Sequence, residues 1–346
     1  MPELPEVETT IRGLQKTIVG LAIKDVWTDL STKDKRQNGA VSNPKYFKVF
    51  KKEILNKKIL SVERRAKNIL INLAPTPSAF SHSPSGRGRS KTILIHLKMT
   101  GHLLYGKYKF TSRPPPNLPL IKGEVPKAEG VWIPTEPKSP LNDPYNRFIH
   151  VVFNLSNGKH LAFSDARKFG KITLLDTKTA HNTKHLNNIG PEPLDKNFNF
   201  KKFKEIMQAS FVKVSAGRGI KTVLMDQSII AGIGNIYSDE ILWRAGVHPE
   251  KKVSKIKEKE FELIFKAIKE TLAKGIDFGG DSMSDYRNIY GLPGKFQLHH
   301  EAYRRTGEKC RRSRVSSRGR KKNCKGIIKR KIINSRSAHF CSVHQK

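Results

Sequence analysis

Met1-Pro2-Glu3-Leu4-Pro5-Glu6-Val7-Glu8 opens the chain and admits two readings. If Met1 is removed, Pro2 presents a free secondary amine. An α-amino group titrates near about 7.7–8.0, against about 10.4 for lysine, so at neutral pH it is the free nucleophile roughly a hundred-fold more often. Such an amine can attack a sugar carbon and form an iminium (Schiff base), and Glu3 beside it could move the protons. The other reading is a helix start. Proline suits the first turn, and Glu3, Glu6 and Glu8 suit the positive end of the helix dipole. Val7, Ile11, Leu14 and Ile18 then mark one helical face, closed by Gly20.

Outward from that helix the pattern changes to short strands: Ala22–Trp27, Ile59–Val62, Asn68–Leu73, Thr92–Leu97, Ile149–Leu155 and Lys171–Leu175. Turn signals such as Ser156-Asn157-Gly158 separate them, and an antiparallel sandwich or barrel is predicted. Residues 74–91 and 107–146, rich in proline and small polar residues, read as loop-like insertions. From about residue 186 the pattern is helical. Leu224–Ala231 and Ile236–Ala245 flank Gly232-Ile233-Gly234-Asn235, and a stripe from Phe261 to Leu272 ends at Gly275. The fold class expected is α+β, divided as 1–185, 186–300 and 301–346.

The 346 residues suffice for two or three domains. The 66 Lys+Arg against 30 Asp+Glu leave a net charge of +36, spread along the chain. A polyanion is the natural partner, nucleic acid above all; a generally basic proteome would leave the same signature. The three cysteines all follow residue 309, which argues against a disulfide framework and for a metal site in a reducing compartment. No apolar run approaches the roughly eighteen residues of a membrane span, and the N-terminus lacks a signal-peptide pattern. A soluble, cytoplasmic protein is expected.

Several further blocks have the right chemistry for DNA. Arg64-Arg65-Ala66-Lys67 precedes a strand; His96-Leu97-Lys98-Met99-Thr100-Gly101 follows one; Asp165-Ala166-Arg167-Lys168-Phe169-Gly170 forms a turn. Ile220-Lys221-Thr222-Val223-Leu224-Met225-Asp226 and Gly232-Ile233-Gly234-Asn235-Ile236-Tyr237 could aim backbone N–H groups and an Asn side chain at phosphate. Taken singly these are a surface lysine, a packed methionine, a basic hairpin and a helical hairpin. Taken in order, with the N-terminal Pro-Glu and the terminal cysteines, they resemble the formamidopyrimidine-DNA glycosylases, base-excision repair enzymes that remove oxidised purines from DNA. The resemblance covers nearly the whole chain outside the insertions.

The resemblance implies an N-terminal helix with an antiparallel β-sandwich, then a helix–two-turns–helix domain and a C-terminal zinc-finger hairpin, with DNA bound between the domains. It implies a catalytic set of Pro2, Glu3, Lys67 and Arg336, with Glu6 in support. Met99, Arg167 and Phe169 would fill the space left by the flipped base, and Lys221 and Asn235 would contact phosphates. Extruding a base costs a few kcal/mol, and an apolar wedge with a guanidinium offsets part of it. Gly279-Gly280 through Tyr286 and Arg287 matches a lid over the flipped base, and both of the latter could contact the nucleotide.

The metal site departs from the family's paired Cys-x2-Cys. Thirteen residues separate Cys310 from Cys324, sixteen separate Cys324 from Cys341, and His344 stands where a fourth cysteine is expected. Three thiolates and an imidazole still suit one structural Zn²⁺; a site that has lost its metal is the competing reading, and His339 is a spare ligand. The opening insert, 311–323, holds seven arginines and lysines and no acid, which suits phosphate contacts. The implied activity is glycosylase and AP lyase, acting as a monomer on damaged duplex DNA by β,δ-elimination. Two alternatives stand beside it: an endonuclease VIII-type enzyme for oxidised pyrimidines, and a non-catalytic DNA-lesion-binding protein on the same scaffold.

Overall fold

Val7, Ile11 and Leu14 are at most 2 % exposed and line one face of helix α1 (Leu4–Thr17), with Ile18 buried in the turn after it. The computed structural model describes residues 1–31, 39–75, 90–112, 130–210, 217–283, 285–315 and 321–346. The chain forms two units. Met1–Pro2, Glu6–Leu186 and Gly279–Gly294 make the first; Glu3–Pro5, Asn187–Phe278 and Lys295–Lys346 make the second.

In the first unit α1 is followed by β1 (Ile23–Thr28), α2 (Pro44–Ile54), β2 (Ile59–Arg65), β3 (Asn68–Leu73), β4 (Lys91–His96), β5 (His102–Gly106), β6 (Tyr108–Thr111), β7 (Val131–Pro134), β8 (Ile149–Leu155), β9 (His160–Ser164) and β10 (Lys171–Asp176). Two four-stranded antiparallel sheets result, in the orders β1-β8-β9-β5 and β10-β4-β3-β2. Val26, Phe153 and Phe163 of one sheet and Val62, Ile71 and Ile95 of the other share a core with Val7, Ile11 and Leu14. Branched and aromatic side chains on facing pleats make this a sandwich, which α1 covers.

Helix α2, strands β5 and β9 and the β6–β7 pair of this unit escaped the sequence reading. Helix α2 has its own start signal: Asn43 Oδ1 accepts the Tyr46 N–H at 2.9 Å and Pro44 occupies the first turn. The stretch 107–146 is not wholly loop. Its ends pair as β6 and β7, and Phe110 and Trp132 pack ring to ring at 5.6 Å, with Trp27 of β1 5.7 and 6.0 Å from them. Most of the other insertion, 76–89, lies outside the described residues.

The second unit holds α3 (Phe200–Ser210), α4 (Ile220–Leu224), α5 (Asn235–Ala245), α6 (Glu258–Asp277), and the strand pairs β11 (Ser313–Val315) with β12 (Lys321–Asn323) and β13 (Ile328–Ile333) with β14 (Arg336–Cys341). Phe203, Ile220, Val223, Tyr237, Ile241, Ile264 and Leu272 pack with Leu4 in its core. The helix expected over Leu224–Ala231 is not there. Residues 226–232 form turns, and Gly232 takes a φ of +84°, a left-handed conformation that costs glycine little. Helix α6 also runs past Gly275 instead of ending at it. The missing side chain there admits the Tyr237 ring, which a Cβ would meet at 2.5 Å.

Candidate nucleic-acid interface and metal centre

Glu3 is 1 % exposed and sits at the start of α5, where helical N–H groups have no partners within the helix. Its carboxylate accepts the Gly234 N–H at 2.6 Å, the Ile236 N–H at 2.9 Å and the Tyr237 N–H at 3.4 Å. Gly234 lacks a side chain for this reason: a Cβ would lie 2.4 Å from the Glu3 carboxyl carbon. The Glu3 carboxylate therefore caps the helix that the Gly-x-Gly-Asn motif begins, and the motif's second glycine makes room for it.

The same helix start gathers the other residues proposed for this unit. Asn235 Nδ2 donates to Ser337 Oγ at 3.3 Å, and Asn334 Nδ2 donates to Thr222 Oγ1 at 3.0 Å, so the β13–β14 hairpin is hooked to α5 and α4. Asn334 and Ser335 turn the hairpin with φ of +46° and +60°, and Arg336 emerges exposed beside them. Lys221, expected at a phosphate, is placed otherwise. It is 1 % exposed, and its ammonium donates to Asp239 Oδ1 and to the Asn235 carbonyl. Burial lowers its pKa even though Asp239 and Glu3 pull the other way. Asp239 Oδ2 accepts the His339 N–H and faces His339 Nδ1, at 2.9 and 3.0 Å. His339, the spare metal ligand of the sequence reading, is thus engaged with Asp239.

In the first unit Lys67 lies in the two-residue β2–β3 turn and is largely buried, at 6 % exposure. His96 ends β4, and its Nδ1 accepts the Lys98 N–H at 3.0 Å. Burial, with the charges of Lys98, Lys67 and Lys171, pushes the imidazole down to about 3. Three ammonium groups converging on one neutral ring make a local positive field suited to a phosphate. Unfolded, His96 takes a proton below about 6.5; folded, it does so only near 3. The unfolded state binds more protons across that window, so stability falls as pH falls through it. Replacing His96 by Gln should make the urea midpoint drop less between pH 7 and pH 5 than in the wild type. An equal drop would remove His96 as a source of acid sensitivity.

Met99 lies half-buried after β4, and the next residue holds the Asp165 turn. Thr100 Oγ1 donates to Asp165 Oδ1, which also takes the Arg167 N–H at 3.3 Å, while Asp165 Oδ2 takes the Gly170 N–H at 2.7 Å. One fully buried carboxylate thereby fixes both ends of the turn. Phe169 is 49 % exposed, and the Arg167 guanidinium stacks on its ring 4.6 Å from the centroid. An exposed phenylalanine on a locked turn, already paired with a cation, can enter a base stack with little ordering cost. In the sequence Thr100 and Asp165 are two motif positions 65 residues apart; only the folded chain brings them together at this turn.

Glu6 is 1 % exposed and receives the segment 279–294. Its Oε1 accepts the Asp281 N–H at 2.7 Å and its carbonyl accepts the Tyr286 hydroxyl at 2.9 Å. Gly280, at φ +86°, passes so close that a Cβ would lie 2.9 Å from Glu6 Cγ. Tyr286 and Arg287 do not present themselves to a nucleotide. They are 4 % and 6 % exposed, and Arg287 bonds Asp143 at 3.0 Å and stacks on Tyr145. They anchor the segment.

Cys310, Cys324, Cys341 and His344 offer four ligand atoms that lie within 4.8 Å of one another. Cys310 Sγ is 3.3 Å from His344 Nδ1 and Cys324 Sγ is 3.7 Å from Cys341 Sγ. His344 Nε2 donates to the Trp243 carbonyl at 3.0 Å, which leaves Nδ1 as the lone-pair nitrogen aimed at the sulfurs. The widened first pair has therefore not pulled the set apart, and it can hold a metal ion.

Comparison with known proteins agrees with this arrangement. The sequence model of the formamidopyrimidine-DNA glycosylase N-terminal domain matches residues 1–172, and that of the formamidopyrimidine-DNA glycosylase H2TH domain matches residues 189–287. The formamidopyrimidine-DNA glycosylase of Herpetosiphon aurantiacus is 33 % identical over the full length of both chains. That of Pelotomaculum thermopropionicum is 32 % identical over 100 % of this chain and 99 % of its own. Among solved structures, the complex between the Lactococcus lactis Fpg and an abasic site containing DNA aligns with a TM-score of 0.71 at 28 % identity, over 99 % of each chain. With both domain models matched in order and relatives aligned end to end, the chain belongs to the formamidopyrimidine-DNA glycosylase family.

Proposed function

We propose that the chain is a DNA glycosylase and AP lyase that removes oxidised purines from duplex DNA. The observation that carries this reading is the fixing of Glu3 by three main-chain N–H groups, directly after a buried Pro2. A nucleophile at a chain start needs such anchoring, because termini are otherwise loosely held. Once Met1 is gone, the Pro2 nitrogen attacks C1′ of the deoxyribose, and the base leaves with the glycosidic electron pair and a proton. Glu3 serves the proton transfers at the sugar. The nitrogen sheds its own proton, the C1′–O4′ bond opens with O4′ taking a proton, and the iminium so formed acidifies the C2′ proton. Its removal expels the 3′ phosphate by β-elimination, and the 5′ phosphate follows by δ-elimination.

In this reading Lys67, Asn235 and Arg336 hold phosphates, and Met99, Arg167 and Phe169 occupy the space of the flipped base. Glu6 supports the segment 279–294. Lys221 is retained as a positioning residue, since its ammonium is enclosed. Residues 1–185 carry the chemistry and the wedge, 186–300 the helical phosphate contacts, and 301–346 the metal-bound hairpin. Three thiolates and an imidazole suit a single structural zinc, which takes no part in the reaction. Among the described residues no helix is long and apolar enough to cross a membrane, and we place the protein in the cytoplasm as a monomer on DNA.

Relatives have been solved on lesion DNA: one, 28 % identical, with a carbocyclic 8-oxo-G. The deciding test is borohydride reduction during reaction with a duplex carrying 8-oxoguanine opposite cytosine. A covalent adduct at the N-terminal proline, located by peptide mass spectrometry, is expected. Adduct on thymine glycol but not on 8-oxoguanine would move the chain to the oxidised-pyrimidine branch. Binding to both without any adduct would make it a lesion-binding protein.

A further inference from the structure

We infer that Thr100 and Asp165 are positioning residues: they lock the turn of Met99 to the turn of Arg167 and Phe169, so that the three wedge residues meet the duplex as one body. The inference rests on the reading of those three as the side chains that fill the space of a flipped base. They come from two separate places in the chain. Met99 lies in the turn between β4 and β5, which the Gly101 N–H closes on the Leu97 carbonyl at 3.0 Å. Arg167 and Phe169 lie in the turn between β9 and β10. Lys98 in the first turn and Lys168 in the second both take a φ of +56°. A free loop avoids that conformation at residues other than glycine, so it persists here because the surroundings hold it.

The hold is double. On its polar side, the Thr100 hydroxyl donates to Asp165 Oδ1 and accepts the Arg167 N–H at 3.1 Å. The residue after Met99 is thereby bonded to the main chain of Arg167 itself. Asp165 is fully buried and takes three donors: the Thr100 hydroxyl and the N–H groups of Arg167 and Gly170. Losing one of them leaves a buried carboxylate short of a partner. On the apolar side both turns sit on the ring of Phe163, which is 1 % exposed. A Cβ on Gly101 would meet Phe163 Cζ at 2.8 Å, and one on Gly170 would strike the same ring atom. A glycine in each turn thus seats both on one ring, and neither turn can shift without the other. The lock matters most for Arg167. A guanidinium only donates. An orphaned cytosine turns two acceptors toward it, N3 and O2, whereas adenine sets an amino donor beside its one acceptor. Reading that difference requires the guanidinium to be held within about 0.5 Å.

The test measures binding of the full-length protein to duplexes carrying an abasic analogue opposite cytosine or opposite adenine, so that no bond need be cleaved. Thr100→Val keeps the outline of the side chain and removes the hydroxyl; Thr100→Ser keeps the hydroxyl. The wild type and Thr100→Ser should prefer cytosine by about tenfold, the discrimination a well-placed guanidinium gives, and Thr100→Val by no more than about twofold. In the same assay the losses from Met99→Ala and Arg167→Ala should couple by about fivefold in the wild-type background and simply multiply in Thr100→Val. A merely structural role would weaken both duplexes equally and leave the coupling intact. Either the preference or the coupling retained in Thr100→Val overturns the lock. Should Thr100→Val fail to fold, as its urea midpoint would show, the smaller Thr100→Ala carries the same expectations. A wild type without preference between the two duplexes defeats the placing of Arg167 against the orphaned base, and the lock falls with it. Absence of a borohydride adduct would defeat the enzymatic reading while these affinities still decide this one.

Discussion

Pro2→Gly should abolish the borohydride adduct and slow base release from 8-oxoguanine duplex by at least about a hundred-fold, while binding to an abasic-analogue duplex changes little. Both residues give an α-amine of which about half or more is neutral at pH 8, so basicity is not the reason. A secondary amine condenses with C1′ to an iminium that is cationic whatever the pH, and that charge draws electrons from the C2′–H bond. Glycine would give an imine that must first gain a proton. The pyrrolidine ring also fixes the direction of the lone pair, and glycine releases it. Glu3→Gln separates the two chemical parts. The amide can still accept N–H groups at the start of α5, so the anchor is partly kept, but proton transfer is lost at a cost of roughly 10²–10⁴ in rate. Single-turnover rates read both effects. A Pro2→Gly enzyme that still forms the adduct at the wild-type rate would assign the nucleophile to another amine.

The frame of the fold was legible wherever periodicity and turn chemistry agreed. Asn68–Leu73 and Ile149–Leu155 are strands with the bounds their apolar runs suggest, and the face Val7–Ile11–Leu14 is buried as its spacing requires. Helix α2 was missed because a sequence such as Tyr46-Phe47-Lys48-Val49-Phe50 mixes aromatic and charged residues, and only the Asn43-Pro44 start gave it away. Leu224–Ala231 misled in the opposite direction. Leu224 ends α4, Ile230 and Ala231 are buried in the turns that follow, and Gly232 takes a left-handed φ where a Cβ would meet Leu4. At the site, residue types and order were readable, and their couplings were not. Nothing in the spacing says that Glu3 caps a helix beginning 232 positions later in the chain, or that Asp165 closes the turn of Arg167 through both of its oxygens. Such partners come together only through tertiary folding, and a single sequence carries no trace of it. Lys221 is the clearest case. A lysine at a helix start next to a phosphate motif reads as a phosphate ligand, until the buried Asp239 is seen against it.

That pair supports the largest stability effect to be expected from one substitution in the second unit. Lys221, Asp239 and His339 are each at most 5 % exposed, and Asp239 takes the lysine on one oxygen and the histidine on the other. Asp239→Ala leaves a buried ammonium with the Asn235 carbonyl but no counter-ion, and removes the acceptor of the buried His339 N–H. Breaking a buried pair from one side costs about 3–5 kcal/mol, so a steep fall in the urea or thermal midpoint is expected. The lowered pKa of Lys221 says that burial outweighs the attraction of Asp239. Lys221→Met combined with Asp239→Leu should recover much of the loss, as apolar replacements of buried pairs do elsewhere. Function should not recover with it. Asp239 is one tie between α5 and the strand that begins at Arg336, and without it the links through Asn235, Asn334 and the Lys331–Glu250 pair must hold the hairpin. The double variant should therefore unfold near the wild-type midpoint yet bind lesion duplex about tenfold more weakly, with base release from the bound complex less affected. A double variant as unstable as Asp239→Ala would mean that the charges are held for net stability. One that binds as tightly as wild type would mean that the hairpin needs no such tie.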